Sequence, residues 1–356
     1  MPEYAKATHF QYVAEFVEAL AGEADIFLVI EKGELPEGSK VTRRVRQYFR
    51  SPILRFFEIA AILFGARLRG YSVQYIHYSF SAAFWSSIIT RILGGTTYYW
   101  NAGMPWLYQR SWGREFFERL VYKMIGRLVT GAEAIVSGYA EYYGISPSKI
   151  IVIPNWIDAK DVEEKLRAID HAGVRRELDI PTSAAILLFV HRLSKRKGAH
   201  LLPGILAGVS QDAILVVAGE GPEEEAIRRE FNKFNLMGRV RMLGAIPQQR
   251  VMNYFAVADA FLLPSEEEGC PHVLLEALAA GVPYAAMAVG GVREITPPKL
   301  LPCVSESGDV SGFIHATNTL LALPKFTRKE IIQEEHEWVR RYSKEAILKR
   351  FLALVQ

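Results

Sequence analysis

Two cysteines, Cys270 and Cys303, are all that 356 residues contain. That is too few for a disulfide framework and fits a reducing compartment. Long apolar runs are missing as well. Beside the most basic segment the longest is IAAILFGA, residues 59–66, far short of the roughly 20 residues that span a bilayer. A secretory leader pattern is absent, because Glu3 and Lys6 interrupt any apolar stretch near the start. The net charge is only +3, so the overall balance excludes no partner. No dinucleotide fingerprint follows any apolar run, which disfavours a nicotinamide oxidoreductase. No nucleic-acid recognition motif is present, and no nucleic-acid partner is expected. The expectation is a soluble, cytoplasmic protein.

What is present is ordinary globular composition, half apolar and 23% charged, at a length that suits two domains. HFQYVAEFVEAL (residues 9–20) has helical spacing. IFLVIE, VQYIHY, TTYYWN, AIVSG and KIIVIPN read as strands, with a long helix over residues 113–128. A second run of short apolar segments begins near Ala184: AAILLFVHRL, AILVVAGEG, VRMLGAI, AFLLPS, PYAAMA and LLPCV. Strands alternating with helices predict parallel sheets with helical crossovers. The pattern occurs on both sides of a polar stretch, residues 158–179. The expected fold is α/β, two doubly wound Rossmann-like domains facing across a cleft. Residues 1–165 form the first domain and 166–337 the second, with a helix near 338–356 returning to the first. Ligands in such sheets sit beyond the carboxyl ends of the strands. The first helix starts almost at once, so the usual opening strand and its glycine-rich turn are expected to be missing.

Four segments carry chemistry. In VHRLSKRKGAH a strand runs into a turn with Arg192, Lys197 and Gly198, then into a helix. Free N–H groups and cationic side chains there suit a diphosphate, although a solvated basic turn reads the same way. In VVAGEGPEEEAI, Gly219 and Gly221 permit tight turns, but Glu223, Glu224 and Glu225 would repel a phosphate. Gly244 and Ile246 end VRMLGAI, where an edge could meet a nucleobase. In PSEEEGCPHVLLEALAAGVP, Glu268 precedes a helix and Glu276 lies inside it. Carboxylates so spaced can hold the two sets of hydroxyls on a sugar nucleotide, with a helix start between them for the diphosphate. Acids decorating a helix start are the plainer alternative. Yet Glu276 sits in a nearly all-apolar helix, where a charge needs a partner or a task. Gly290 and Gly291 follow the strand PYAAMA and bring further N–H groups to the same edge.

In this order the segments resemble the C-terminal half of retaining glycosyltransferases of family 4, the glycosyl transferases group 1, which have the GT-B fold. SGYAEYYGISPSKIIVIPNWID (residues 137–158) extends the likeness loosely into the first half. The resemblance implies that Arg192 and Lys197 hold the donor diphosphate. It implies that Glu268 touches the donor sugar and acts in catalysis, and that Glu276 binds the ribose. Gly198, Gly219, Gly244, Ile246, Cys270, Pro271, His272, Val273, Gly290 and Gly291 complete the donor side. It implies retention of anomeric configuration, with no cofactor and no metal, the basic pair stabilising the departing diphosphate. The family's histidine after the TTYYWN strand is absent here, where Asn101 stands nearby. His77 is the candidate catalytic histidine, with His9 and Asn101 on the acceptor side.

The expected donor is a GDP- or UDP-sugar and the acceptor a glycan or a lipid-linked molecule. Residues 39–70 hold eight basic residues and one acid, Glu58, interleaved with Phe, Ile and Leu. That pattern suits contact of residues 40–70 with an anionic membrane, on its inner face, or simply a solvated helix face. Two other functions share the fold: a nucleotide-sugar epimerase and a non-catalytic nucleotide-sugar-binding relative.

Overall fold

The computed structural model describes residues 11–31, 39–210 and 212–355. His9 lies outside them. The chain forms two compact units, Met1–Pro154 with Ile347–Gln356, and Asn155–Ala346. The division precedes the 165/166 boundary taken from the sequence. The helix Ala159–Arg167 buries Val162, and it packs on the helices Gln248–Phe255 and His272–Ala280 of the second unit.

In the first unit, strands Phe27–Ile30 (β1) and Arg43–Arg46 (β2) pair in parallel as a sheet of their own. Val73–His77 (β3), Thr96–Trp100 (β4), Arg127–Thr130 (β5) and Ile150–Val152 (β6) form a parallel sheet in chain order. AIVSG is not a strand. Glu133–Ile135 is a 3-10 turn, and Val136–Tyr143 is a helix that buries Tyr139 and Tyr143 one turn apart. The strand here is β5, whose Leu128, Val129 and Thr130 are all buried. Short apolar runs do not separate the two periodicities, and burial decides. The helix before it stops at Met124. The final helix, Lys344–Val355, returns to this unit. Phe351 packs edge-on against Tyr75, with ring centroids 4.7 Å apart, and Arg350 donates to the Val152 carbonyl.

The second unit has six parallel strands: Ala185–Val190 (β7), Ala213–Ala218 (β8), Val240–Gly244 (β9), Ala260–Leu263 (β10), Tyr284–Met287 (β11) and Val304–Ser305 (β12). Their order is β12-β11-β10-β7-β8-β9. The chain winds outward from β7 to β9, returns to β10 on the other side of β7, and winds outward again. Every residue of β8, β10 and β11 is buried, as a sheet covered on both faces requires. The order reverses between β7 and β10, so a crevice opens beyond their carboxyl ends, where such sheets bind ligands.

Candidate functional site

Both segments leaving β7 and β10 carry charged side chains, and the structure brings them together. After β7 come His191, Arg192 and the 3-10 turn Lys195–Lys197. After β10 comes the loop to Pro271, which starts the helix His272–Ala280. Glu268 is 6% exposed. Its Oε1 accepts from Lys197 Nζ at 2.8 Å and from Ser265 Oγ at 2.8 Å, and His191 Nε2 lies 3.5 Å away. Lys197 also donates to the Glu267 carbonyl. His191 Nδ1 accepts from the Arg192 N–H. The ring proton therefore sits on Nε2, towards Glu268.

Burial by itself would raise the Glu268 carboxyl. The Lys197 charge and the His191 hydrogen bond overcome burial and hold it at about 2, against an ordinary 4.5. A depressed carboxyl contributes stability above its unfolded value and loses it as pH falls towards the folded one. Acid unfolding between pH 4.5 and about 2 should thus be steeper in the wild type than in Glu268→Gln. Urea midpoints across that range check this; parallel curves would show that Glu268 is not held ionised.

Glu276 is also buried, in the middle of its helix. Its Oε1 accepts from Gln248 Nε2 at 3.0 Å, and His272 Nδ1 lies 3.6 Å away, one helical turn back. The helix start has no side-chain cap, so its first N–H groups remain for an anion. Arg192 is exposed, and no described carboxylate lies within ion-pair distance of it. Cys270 is buried and its thiol is pushed up to about 12 by desolvation. Its Sγ and carbonyl take the N–H and side-chain amide of Asn155. Cys270 is therefore a packing residue rather than a nucleophile.

Three of the glycines stand where two backbone segments meet. Gly198, at φ +66°, faces the Pro264 carbonyl, and an added Cβ would lie 1.8 Å from that oxygen. Gly290, at φ +51°, faces the Glu268 carbonyl at 1.8 Å on the same measure, and Gly219 faces the His191 carbonyl at 2.0 Å. These positions let backbone meet backbone beside the crevice. Gly244 has open space around it. Ile246 and Gln248 follow it at the start of the helix Gln248–Phe255. No local pattern in the sequence singles out His191 or Gln248; their partners are 77 and 28 residues away.

His77 and Asn101 belong to the first unit. His77 ends β3 and stacks on Trp100 at 4.1 Å and 8°. Burial lowers its imidazole to about 4, so the ring is neutral at physiological pH. Tyr78 follows in left-handed backbone, φ 60°, edge-on to both rings. Asn101 is buried and its amide serves the protein at both ends. Nδ2 donates to Tyr122 Oη, and Oδ1 accepts from the Gly103 N–H. No group of three potential metal ligands occurs among the described residues.

Residues 172–338 match the sequence profile of the glycosyl transferases group 1, and residues 8–161 that of glycosyltransferase family 4. A phosphatidylinositol N-acetylglucosaminyltransferase subunit of Arabidopsis thaliana is 33% identical over 161 residues, 44% of this chain and 34% of that protein. D-inositol 3-phosphate glycosyltransferase of Kineococcus radiotolerans is 28% identical over 193 residues, 51% of this chain and 44% of that one. The match thus spans under half the length of these curated relatives. Sucrose-phosphate synthase of Thermosynechococcus elongatus superposes with a TM-score of 0.79 at 21% identity, covering 97% of this chain and 92% of that one. Anabaena HepE, solved in complex with UDP, gives 0.79 at 16%, covering 99% and 96%. These structural likenesses establish the fold. The two profiles together account for most of the sequence, and the chain belongs to the group 1, family 4 glycosyltransferases of the GT-B fold, built from two Rossmann-like domains.

Proposed function

We propose that the protein transfers a hexose from a nucleoside diphosphate sugar, with retention, to a glycan or lipid-linked acceptor. The observation that carries this is the pair of buried carboxylates at the crevice. Glu268 is kept ionised by Lys197 and His191, and Glu276 faces the same helix start through Gln248 and His272. In this reading Glu276 accepts hydrogen bonds from the ribose hydroxyls. The uncapped N–H groups of His272 and Val273 meet the diphosphate, with Lys197 and Arg192 supplying positive charge. Glu268 orients the sugar.

In the reaction, the bond from the anomeric carbon to the diphosphate oxygen breaks. The acceptor oxygen bonds to that carbon on the same face, and its proton passes to the departing phosphate oxygen. The chain's part is to hold negative charge as it develops on that phosphate, the task preorganised cations and N–H groups do well. A uridine donor is favoured, since HepE, whose fold this chain shares, is solved with UDP and with UDP-glucose. On the acceptor side, the His77–Trp100 stack topped by Tyr78 offers an aromatic face for a sugar ring. Two cysteines, both unpaired, go with a cytoplasmic reaction.

Donor hydrolysis measured over a panel of UDP- and GDP-sugars tests the proposal. Glu276→Ala should raise the donor KM about 10–100-fold, the loss of hydrogen bonds to a charged group, with little change in kcat. Donor binding without hydrolysis or transfer for every sugar tried would sink the proposed activity.

A further inference from the structure

Three donors converge on one oxygen of Glu268. Lys197 Nζ and Ser265 Oγ each lie 2.8 Å from Oε1, and His191 Nε2 lies 3.5 Å from the same atom. Among the described residues no hydrogen-bond partner falls on Oε2. A carboxylate oxygen offers about two lone-pair directions. Lys197 and Ser265 fill those of Oε1, so His191 stands third, at a distance too long for a strong bond. Its place is nevertheless fixed. The His191 N–H donates to the Ala218 carbonyl, continuing the β7–β8 ladder. Its carbonyl lies against Gly219, and Nδ1 takes the Arg192 N–H at 2.9 Å. The imidazole is held from behind, with its Nε2–H aimed at an acceptor that is already occupied.

Lys197 is not held in this way. Its ammonium ends a flexible four-carbon stem, the side chain is partly exposed, and its other bond is to the Glu267 carbonyl. In the proposed donor complex the same ammonium faces a diphosphate as well. One lysine cannot keep full contact with both anions. As it swings to the phosphate, Glu268 stays buried and loses its nearest cation. A buried carboxylate left short of a donor costs free energy that the incoming ligand has to supply. Ser265 is fully buried and uncharged, and it already has its place on Oε1. His191 is the side chain that stands ready for the vacated one.

We infer that His191 is a positioning residue, which takes over Glu268 Oε1 when the donor draws Lys197 away. Its Nε2–H closes on the oxygen as the ammonium leaves, and the carboxylate keeps its position while Oε2 meets the donor sugar. Resting protein and donor complex then share one carboxylate geometry with different partners. The inference rests on the proposed donor site, and it adds a residue that does not itself touch the donor.

UDP is the probe, because it carries the diphosphate without the sugar, and GDP is run beside it. Binding to the full chain is measured by calorimetry, so no turnover is needed, and circular dichroism checks the fold of each variant. His191→Ala should weaken binding about tenfold, the size of a hydrogen bond to a charged group. His191→Gln, whose amide presents an N–H near the same place, should recover most of that loss. The deciding arm is the Glu268→Gln background. No charge is stranded there when Lys197 leaves, so adding His191→Ala should change affinity by less than about twofold, as a cycle through one shared partner requires. An equal loss in both backgrounds would overturn the proposal, since His191 would then act on the nucleotide or the fold and not through Glu268. Wild-type affinity in His191→Ala would overturn it as well. A wild type that binds neither UDP nor GDP would remove the donor site itself, and the exchange of partners with it.

Discussion

Lys197→Met is expected to cut turnover by about 100- to 1,000-fold, the usual effect of removing a preorganised group that stabilises developing charge. It should also lower thermal stability. Glu268 would keep its buried position and lose the cation 2.8 Å away that compensates its desolvation. Breaking one side of a buried ion pair costs several kcal/mol. Lys197 retains some exposure, so the low end applies, about 3 kcal/mol, or roughly 6–12 °C in Tm for a unit of this size. The double variant Lys197→Met/Glu268→Gln separates the two effects. Neutralising Glu268 removes the stranded charge, so most of the lost Tm should return while turnover stays low. If the double variant is no more stable than Lys197→Met, the pair is not the source of the stability. If turnover returns with it, Lys197 is not part of the machinery.

Gly290→Ala is the second large effect. Its backbone is left-handed, which costs a side chain about 1–2 kcal/mol. In addition its Cβ would sit 1.8 Å from the Glu268 carbonyl oxygen, a contact that only backbone movement relieves. A loss of about 4 kcal/mol or more is expected, in the range reserved for specific structural faults, together with loss of donor binding because Glu268 must shift. Gly244→Ala is the internal control. Its φ is +67° with nothing within 4 Å of the added carbon, so only the strain of about 1–2 kcal/mol applies. Comparable melting temperatures for the two variants would show that the contact with Glu268 is not what the glycine is for.

Much of this site is legible in the amino-acid order alone. Glu276 stands out because a charge in the nearly all-apolar HVLLEALAAG needs a partner or a task, and Glu268 because it lies in the loop before that helix. Arg192 and Lys197 are visible as cations at a strand-to-helix turn. His191 and Gln248 are not, because their meaning lies in partners far along the sequence. The resemblance places Asn101 on the acceptor side, and its amide is engaged by Tyr122 and the Gly103 N–H. Gly198, Gly219 and Gly290 matter for the property the sequence suggests, freedom from a Cβ. What occupies the freed space is a carbonyl of a neighbouring segment, which only the pairing of β7 with β8 and β10, and of β10 with β11, reveals. In the first half, the strand expected at AIVSG shows the same limit. Apolar residues over five positions fit either periodicity, and the neighbouring β5 takes the place in the sheet.

The glycine-to-carbonyl contacts have a consequence for redesign. Gly198 against Pro264, Gly219 against His191 and Gly290 against Glu268 stitch the turns of four strands into one seam. Few substitutions there keep the backbone in place. The group left adjustable is Ile246, half-buried two residues beyond Gly244, because Gln248 and His272 both face the buried Glu276 carboxylate. A library aimed at new donor preference should hold the seam and those two partners constant and vary Ile246.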